Sequence, residues 1–105
     1  MKFEDLKKVL ELTGLEVGYH HWETGQVPQL PYILYLDSSS DNFRADNQVY
    51  YGIKNIRVEL YSNLKNIREE KKLEKILNDH KLPFDNYESY IESEKMYLKA
   101  YEIQL

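Results

Sequence analysis

Residues 54–62, Lys54-Asn55-Ile56-Arg57-Val58-Glu59-Leu60-Tyr61-Ser62, alternate apolar and polar side chains along almost their whole length. Successive side chains of a strand leave opposite faces, so Ile56, Val58 and Leu60 point one way and Arg57, Glu59 and Tyr61 the other. This is the pattern of a strand with one face on a core. A helix is expected next, over residues 67–80. Asn66 with Glu69 three positions later fits a capping box, and Leu73, Ile76, Leu77 and His80 recur at helical spacing opposite a densely charged, solvent-facing side. Lys81, Leu82 and Pro83 end it. Phe84 to Ile91 and Met96 to Leu105 then read as a hairpin turning at Glu92-Ser93-Glu94-Lys95. Its last strand is apolar on both faces, with Met96, Leu98 and Ala100 against Tyr97, Tyr101, Ile103 and Leu105. Such a strand belongs inside a sheet or against a partner.

Upstream, Phe3, Leu6, Val9, Leu10 and Thr13 fall on one side of a helix over residues 3–13, with Gly14 placed as a left-handed cap. Residues 15–22 alternate loosely as a short strand before a turn at Glu23-Thr24-Gly25. After Pro31 comes an unbroken apolar run, Tyr32-Ile33-Leu34-Tyr35-Leu36, the signature of a strand buried on both faces or at an interface. Residues 37–47 form the longest polar stretch and read as a long hairpin loop, in which Phe43 stands out as apolar. Val49, Tyr50 and Tyr51 begin a strand and Gly52 marks a turn or bulge. The order is helix, strands, helix, hairpin. The expected fold is α+β: a two-layer sandwich of one mostly antiparallel sheet with two helices on one face, in a single domain spanning residues 1–105.

Composition narrows function more than it names it. The 14 basic and 18 acidic residues leave a net charge of −4, which argues against a protein that neutralises duplex DNA. With no cysteine, disulfides, thiolate catalysis and cysteine-ligated zinc are excluded. The N-terminal stretch has no apolar core of a signal peptide, and no apolar run approaches the ~20 residues of a membrane span, so a cytoplasmic protein is expected. Ten tyrosines stand beside three phenylalanines and one tryptophan. Tyrosine combines a large apolar face with a hydroxyl that needs a partner, which suits half-buried strands and subunit interfaces.

Motifs for chemistry are sparse. In His20-His21-Trp22-Glu23 the two histidines, if on a strand, point to opposite faces and cannot share one ion. Among histidines only His80 remains, so no metal site is expected. The carboxylates Asp37, Asp41 and Asp46, and Glu88, Glu92 and Glu94, sit in turns with no basic or glycine-rich element beside them. They read as solvated surface. There is no nucleophile elbow, P-loop or zinc-protease helix motif. No catalytic residue and no cofactor are expected, and the chain does not read as an enzyme.

Several stretches taken together carry a resemblance: Trp22-Glu23-Thr24-Gly25-Gln26-Val27-Pro28, Leu30-Pro31-Tyr32-Ile33, Ser40-Asp41-Asn42-Phe43-Arg44-Ala45-Asp46-Asn47, Val58-Glu59-Leu60-Tyr61, and Tyr90-Ile91-Glu92-Ser93-Glu94-Lys95. In this order and spacing, from residue 3 to residue 105, they resemble the tail-terminator (tail-completion) proteins of long-tailed bacteriophages and prophages of Gram-positive bacteria. The resemblance implies a structural protein, made in the host cytoplasm and built into the neck of the virion. Such proteins cap the head-proximal end of the tail tube as a hexameric ring. The ring stops tube polymerisation and joins the tail to the head–tail connector, while DNA passes through its lumen without specific binding. Another neck protein, such as a head-completion, stopper or adaptor protein, fits the same residues. A small metal-dependent enzyme is the competing class, and a monomeric regulator that binds one partner is a third. For a ring, one subunit edge must meet a different edge of the next. The candidates are the 31–36 strand with Tyr32 and Tyr35, the final hairpin with Tyr97 and Tyr101, and the 37–47 loop through Phe43, Arg44 and Asp46, which would face the tube protein or connector.

Overall fold

The computed structural model describes residues 1–38 and 54–105. In these residues the chain runs α1 (Phe3–Glu11), β1 (Glu16–Tyr19), β2 (Tyr32–Asp37), β3 (Asn55–Ser62), α2 (Ile67–Asp79), β4 (Asp85–Ile91) and β5 (Met96–Gln104). The five strands form one sheet in the order β1-β2-β3-β5-β4. The strand and turn expected over 49–52, and Phe43, Arg44 and Asp46, lie outside the described residues.

β3 sits at the centre, and its alternation is what the sheet is built around. Ile56, Val58 and Leu60 are all but inaccessible. Pairing sets Ile33 of β2 opposite Leu60 and Tyr35 opposite Val58. On the other side Tyr101 of β5 lies opposite Val58 and Ile103 opposite Ile56. Because partners in register share a face, these residues make one apolar surface. Leu6 and Leu10 of α1 and Leu73 and Leu77 of α2 close the core over it. Both helices therefore lie on the same face, and the fold is α+β with a mostly antiparallel sheet. Burying each such leucine is worth about 1.5–3 kcal/mol relative to exposing it.

One pairing departs from the expected run of antiparallel neighbours: β1 pairs with β2 in parallel. Parallel neighbours need a connection that returns the chain to the starting end of the sheet, and residues 20–31 supply it. The helix ends also differ in detail. α1 ends at Glu11, and Leu12, Thr13 and Gly14 follow in a tighter i→i+3 turn closed by Gly14 at φ 84°. Lys72 of α2 donates to the Thr13 carbonyl at 3.0 Å, so one helix supplies the cation at the C-terminal end of the other. At the start of α2, the Asn66 side chain accepts from the Glu69 N–H as the sequence suggested. His80 is exposed rather than on the apolar face. It follows the last turn of α2, where its ring Nδ1 meets the Ile76 carbonyl at 2.9 Å.

Tyr101 is the largest fully buried side chain. Its ring meets Phe84 edge-on at 5.2 Å, and its hydroxyl donates to Glu74 of α2 at 2.7 Å. Burial, and then the hydrogen bond to Glu74, push its phenol well above the ordinary range. In the unfolded chain this tyrosine ionises at about pH 10 while the folded chain keeps the proton. The stabilisation is therefore complete below about pH 10 and is lost at up to ~1.4 kcal/mol per pH unit above it. Urea unfolding between pH 9 and pH 11.5 is expected to show this decline, and Tyr101→Phe to flatten it. At neutral pH, Leu77→Ala is expected to cost about 2–5 kcal/mol in the same assay.

Candidate interaction surface

The face of the sheet opposite the helices carries a continuous band of aromatic and charged side chains. It starts in the 20–31 connection, where the Trp22 indole lies flat over Gly18 of β1. A Cβ at Gly18 would approach the Trp22 ring carbon Cζ3 to 2.7 Å, so only glycine admits the ring. Trp22 meets Tyr32 edge-on at 5.4 Å, and Tyr32 meets Tyr61 across the β2–β3 pair at 5.3 Å. The Tyr61 hydroxyl donates to Glu59 Oε1 at 3.0 Å, while Arg57 Nε stands 3.1 Å from Glu59 Oε2. Arg57 in turn lies over the Tyr87 ring at 5.9 Å, and the Tyr87 hydroxyl donates to Glu102 at 2.6 Å. Glu59 is buried as a charge with an ion pair to Arg57 on one oxygen and a hydrogen bond from Tyr61 on the other. Burial, then the charge and hydrogen bond of Glu59, raise the Tyr61 phenol far above its usual value. Among the described residues two buried donors of the band, the Trp22 indole N–H and Arg57 Nε, make no hydrogen bond.

β4 is different. It is an edge strand of seven residues, of which six are exposed. α2 stops short of it: the space between helix and strand is spanned by polar contacts, with Lys65 bridging Glu70 and Glu88. Lys65 holds the Glu88 carboxyl below the usual carboxylate range. The same contact ties Lys65, in the segment before α2, to β4, and on either side of Lys65 stand two exposed apolar side chains, Leu64 at 71% exposure and Ile67, the first residue of α2, at 55%. Tyr90 of β4 is half exposed, stacked edge-on against Tyr97 at 4.9 Å. Tyr87, on the opposite face of the strand, is also about half exposed, at 48%.

The residues expected at an interface divide accordingly. Tyr32, Tyr35 and Tyr101 are buried within the chain, because β2 and β5 are interior strands and not edges. The rings of Tyr35 and Tyr101 belong to the core under the helices and that of Tyr32 packs against Trp22 and Tyr61 on the open face, which corrects the expectation that they face a neighbour. Tyr97 is half-buried against Tyr90 at the rim. Tyr87 and Tyr90 lie in the final hairpin, one of the expected edges, without being singled out there, and Leu64 and Ile67 carry no such expectation. A signal was present: among the strands of the described residues β4 is the one that buries neither face, and such a strand belongs at an edge.

The acidic groups also resolve. Asp37 is the last residue of β2 and pairs with Lys54 at 3.4 Å, and Glu88 pairs with Lys65. The two histidines overturn the strand-based expectation. β1 ends at Tyr19, His20 adopts φ 70°, and the two ring Nδ1 atoms stand 3.2 Å apart instead of on opposite faces. His21 Nε2 meets Glu23 Oε1 at 3.3 Å. Among the described residues no group of three or more His, Asp or Glu side chains converges as a metal site.

A groove of about 810 Å³ opens where β3 begins and β5 ends, walled by Asn55, Arg57, Phe84, Asp85 and Glu102. Its polar groups are engaged with their neighbours: Gln104 donates to Asn55, Tyr87 to Glu102, and Arg57 faces Glu59. No unspent set of donors converges on a ligand there. Comparison with protein-family models, with curated proteins and with solved structures yields no match.

The Trp22–Gly18 contact gives a direct test of how the open face is held. Gly18→Ala is expected to displace the sole tryptophan, shift its fluorescence emission to the red, and cost about 1–3 kcal/mol in urea unfolding. Unchanged emission would show that the indole does not depend on the missing Cβ.

Proposed function

We propose that this chain is a structural assembly protein of a long-tailed bacteriophage, a tail terminator that closes into a ring on the head-proximal end of the tail tube. The observation that supports assembly is the β4 edge. A seven-residue edge strand with six exposed residues, Tyr87 and Tyr90 among them, linked through Lys65 to a segment that exposes Leu64 and Ile67, is a surface that a second chain would complete. The resemblance to tail terminators supplies the setting, the hexameric ring, and the tube and connector partners. In that setting the partner edge is β1, four residues long and at the far side of the sheet. Two unlike edges on one subunit are what a ring of head-to-tail contacts requires. The net charge of −4 suits a lumen through which DNA slides without sticking.

Deleting the gene from the phage that encodes it is expected to give overlong or ragged tails and unattached heads by electron microscopy. Intact tails of normal length would assign the chain to another neck component. A double variant, Leu64→Glu with Tyr90→Glu, is expected to fold with stability within about 0.5 kcal/mol per site, because both side chains are exposed. In trans it should fail to restore tail length. Full restoration would remove β4 from the interface.

A further inference from the structure

We propose that His20 and His21 form a two-imidazole chelate for a divalent transition metal of the zinc class, through both Nδ1 atoms, with Glu23 holding the second ring. The backbone is the first reason. His20 occupies the left-handed region at φ 70°, which is uncommon outside glycine. The His21 N–H donates to the Tyr19 carbonyl two residues back at 2.8 Å, so the chain makes a γ-turn with a positive φ at its centre. The turn is tied down by the His20 N–H, which donates to the Tyr35 carbonyl of β2 at 2.8 Å. Backbone held in a sparsely populated conformation points to a demand made by the side chains it carries.

The rings are the second reason. Two nitrogens 3.2 Å apart, each about 2.0–2.1 Å from one metal ion, subtend about 100–106° at that ion. That is close to the tetrahedral angle.

The third reason is Glu23. A metal-bound histidine commonly donates its other ring N–H to a carboxylate, which fixes tautomer and orientation, and His21 Nε2 faces Glu23 Oε1 at 3.3 Å. With that proton on Nε2, the His21 Nδ1 lone pair is free to accept, and His20 Nδ1–H donates to it. On binding, His20 moves its proton to its solvent-facing Nε2. Both Nδ1 lone pairs then turn to the ion, and no proton is lost overall. Two coordination positions stay with water or with a side chain of a neighbouring chain.

Zinc titration of the purified chain, read by long-range proton–nitrogen spectra of the imidazoles, tests this directly. The Nδ1 signals of His20 and His21 are expected to move together, while His80, whose Nδ1 meets the Ile76 carbonyl, stays in place. By calorimetry, His20→Ala and His21→Ala should each weaken zinc binding at least tenfold, and Glu23→Gln about tenfold. Movement of only one of the two rings, or a single alanine variant within twofold of the wild-type affinity, would overturn the chelate.

Discussion

The fold depends on one constraint, that the apolar stripe of β3 must be covered. Ile56, Val58 and Leu60 lie on one face of the central strand, and every other element is positioned by the need to extend or close that face. β2 and β5 widen it in register with Ile33, Tyr35, Tyr101 and Ile103, and the two helices seal it with leucines. What lies beyond the reach of the helices, β4 and the segment before α2, is left to solvent. Core and exposed edge are thus two consequences of the same geometry.

Much of this was legible because the relevant signals are local. The period-two alternation of residues 54–62, the Asn66 cap and the turn at residues 92–95 each depend on a few neighbours, and all three are found where the sequence placed them. The parallel pairing of β1 with β2 was not legible. It is decided by where the 20–31 connection carries the chain, and Trp22 seating on Gly18 is a contact between residues whose types announce no pairing. The tyrosines misled for a related reason. Their composition suits both an interface and a half-buried strand, and only the strand order shows that Tyr32, Tyr35 and Tyr101 are interior.

The histidines show the limit of periodicity from another side. Adjacent residues diverge on a strand, so His20 and His21 read as pointing apart. The strand ends one residue too early for that rule, and a single positive φ swings the rings together. A left-handed residue leaves little trace in sequence unless it is glycine or asparagine. Backbone outliers are therefore where a reading by pattern alone is most exposed to error.

The open face and the β4 edge handle polar groups in opposite ways, and this bears on why the proposed assembly edge is β4. On the open face the carboxylates are engaged internally: Glu59 pairs with Arg57 and accepts from Tyr61, and Glu102 accepts from Tyr87. A partner arriving there would have to disturb the part-buried contacts around Glu59, at the cost of desolvating them again. At β4 the ion pair of Lys65 with Glu88 is solvent-exposed and of little energetic weight, while Leu64, Ile67 and Tyr90 keep their apolar surface in water. Covering them releases that surface without breaking anything the fold needs. The rim of the molecule, not its aromatic face, is the place where association gains most and costs least.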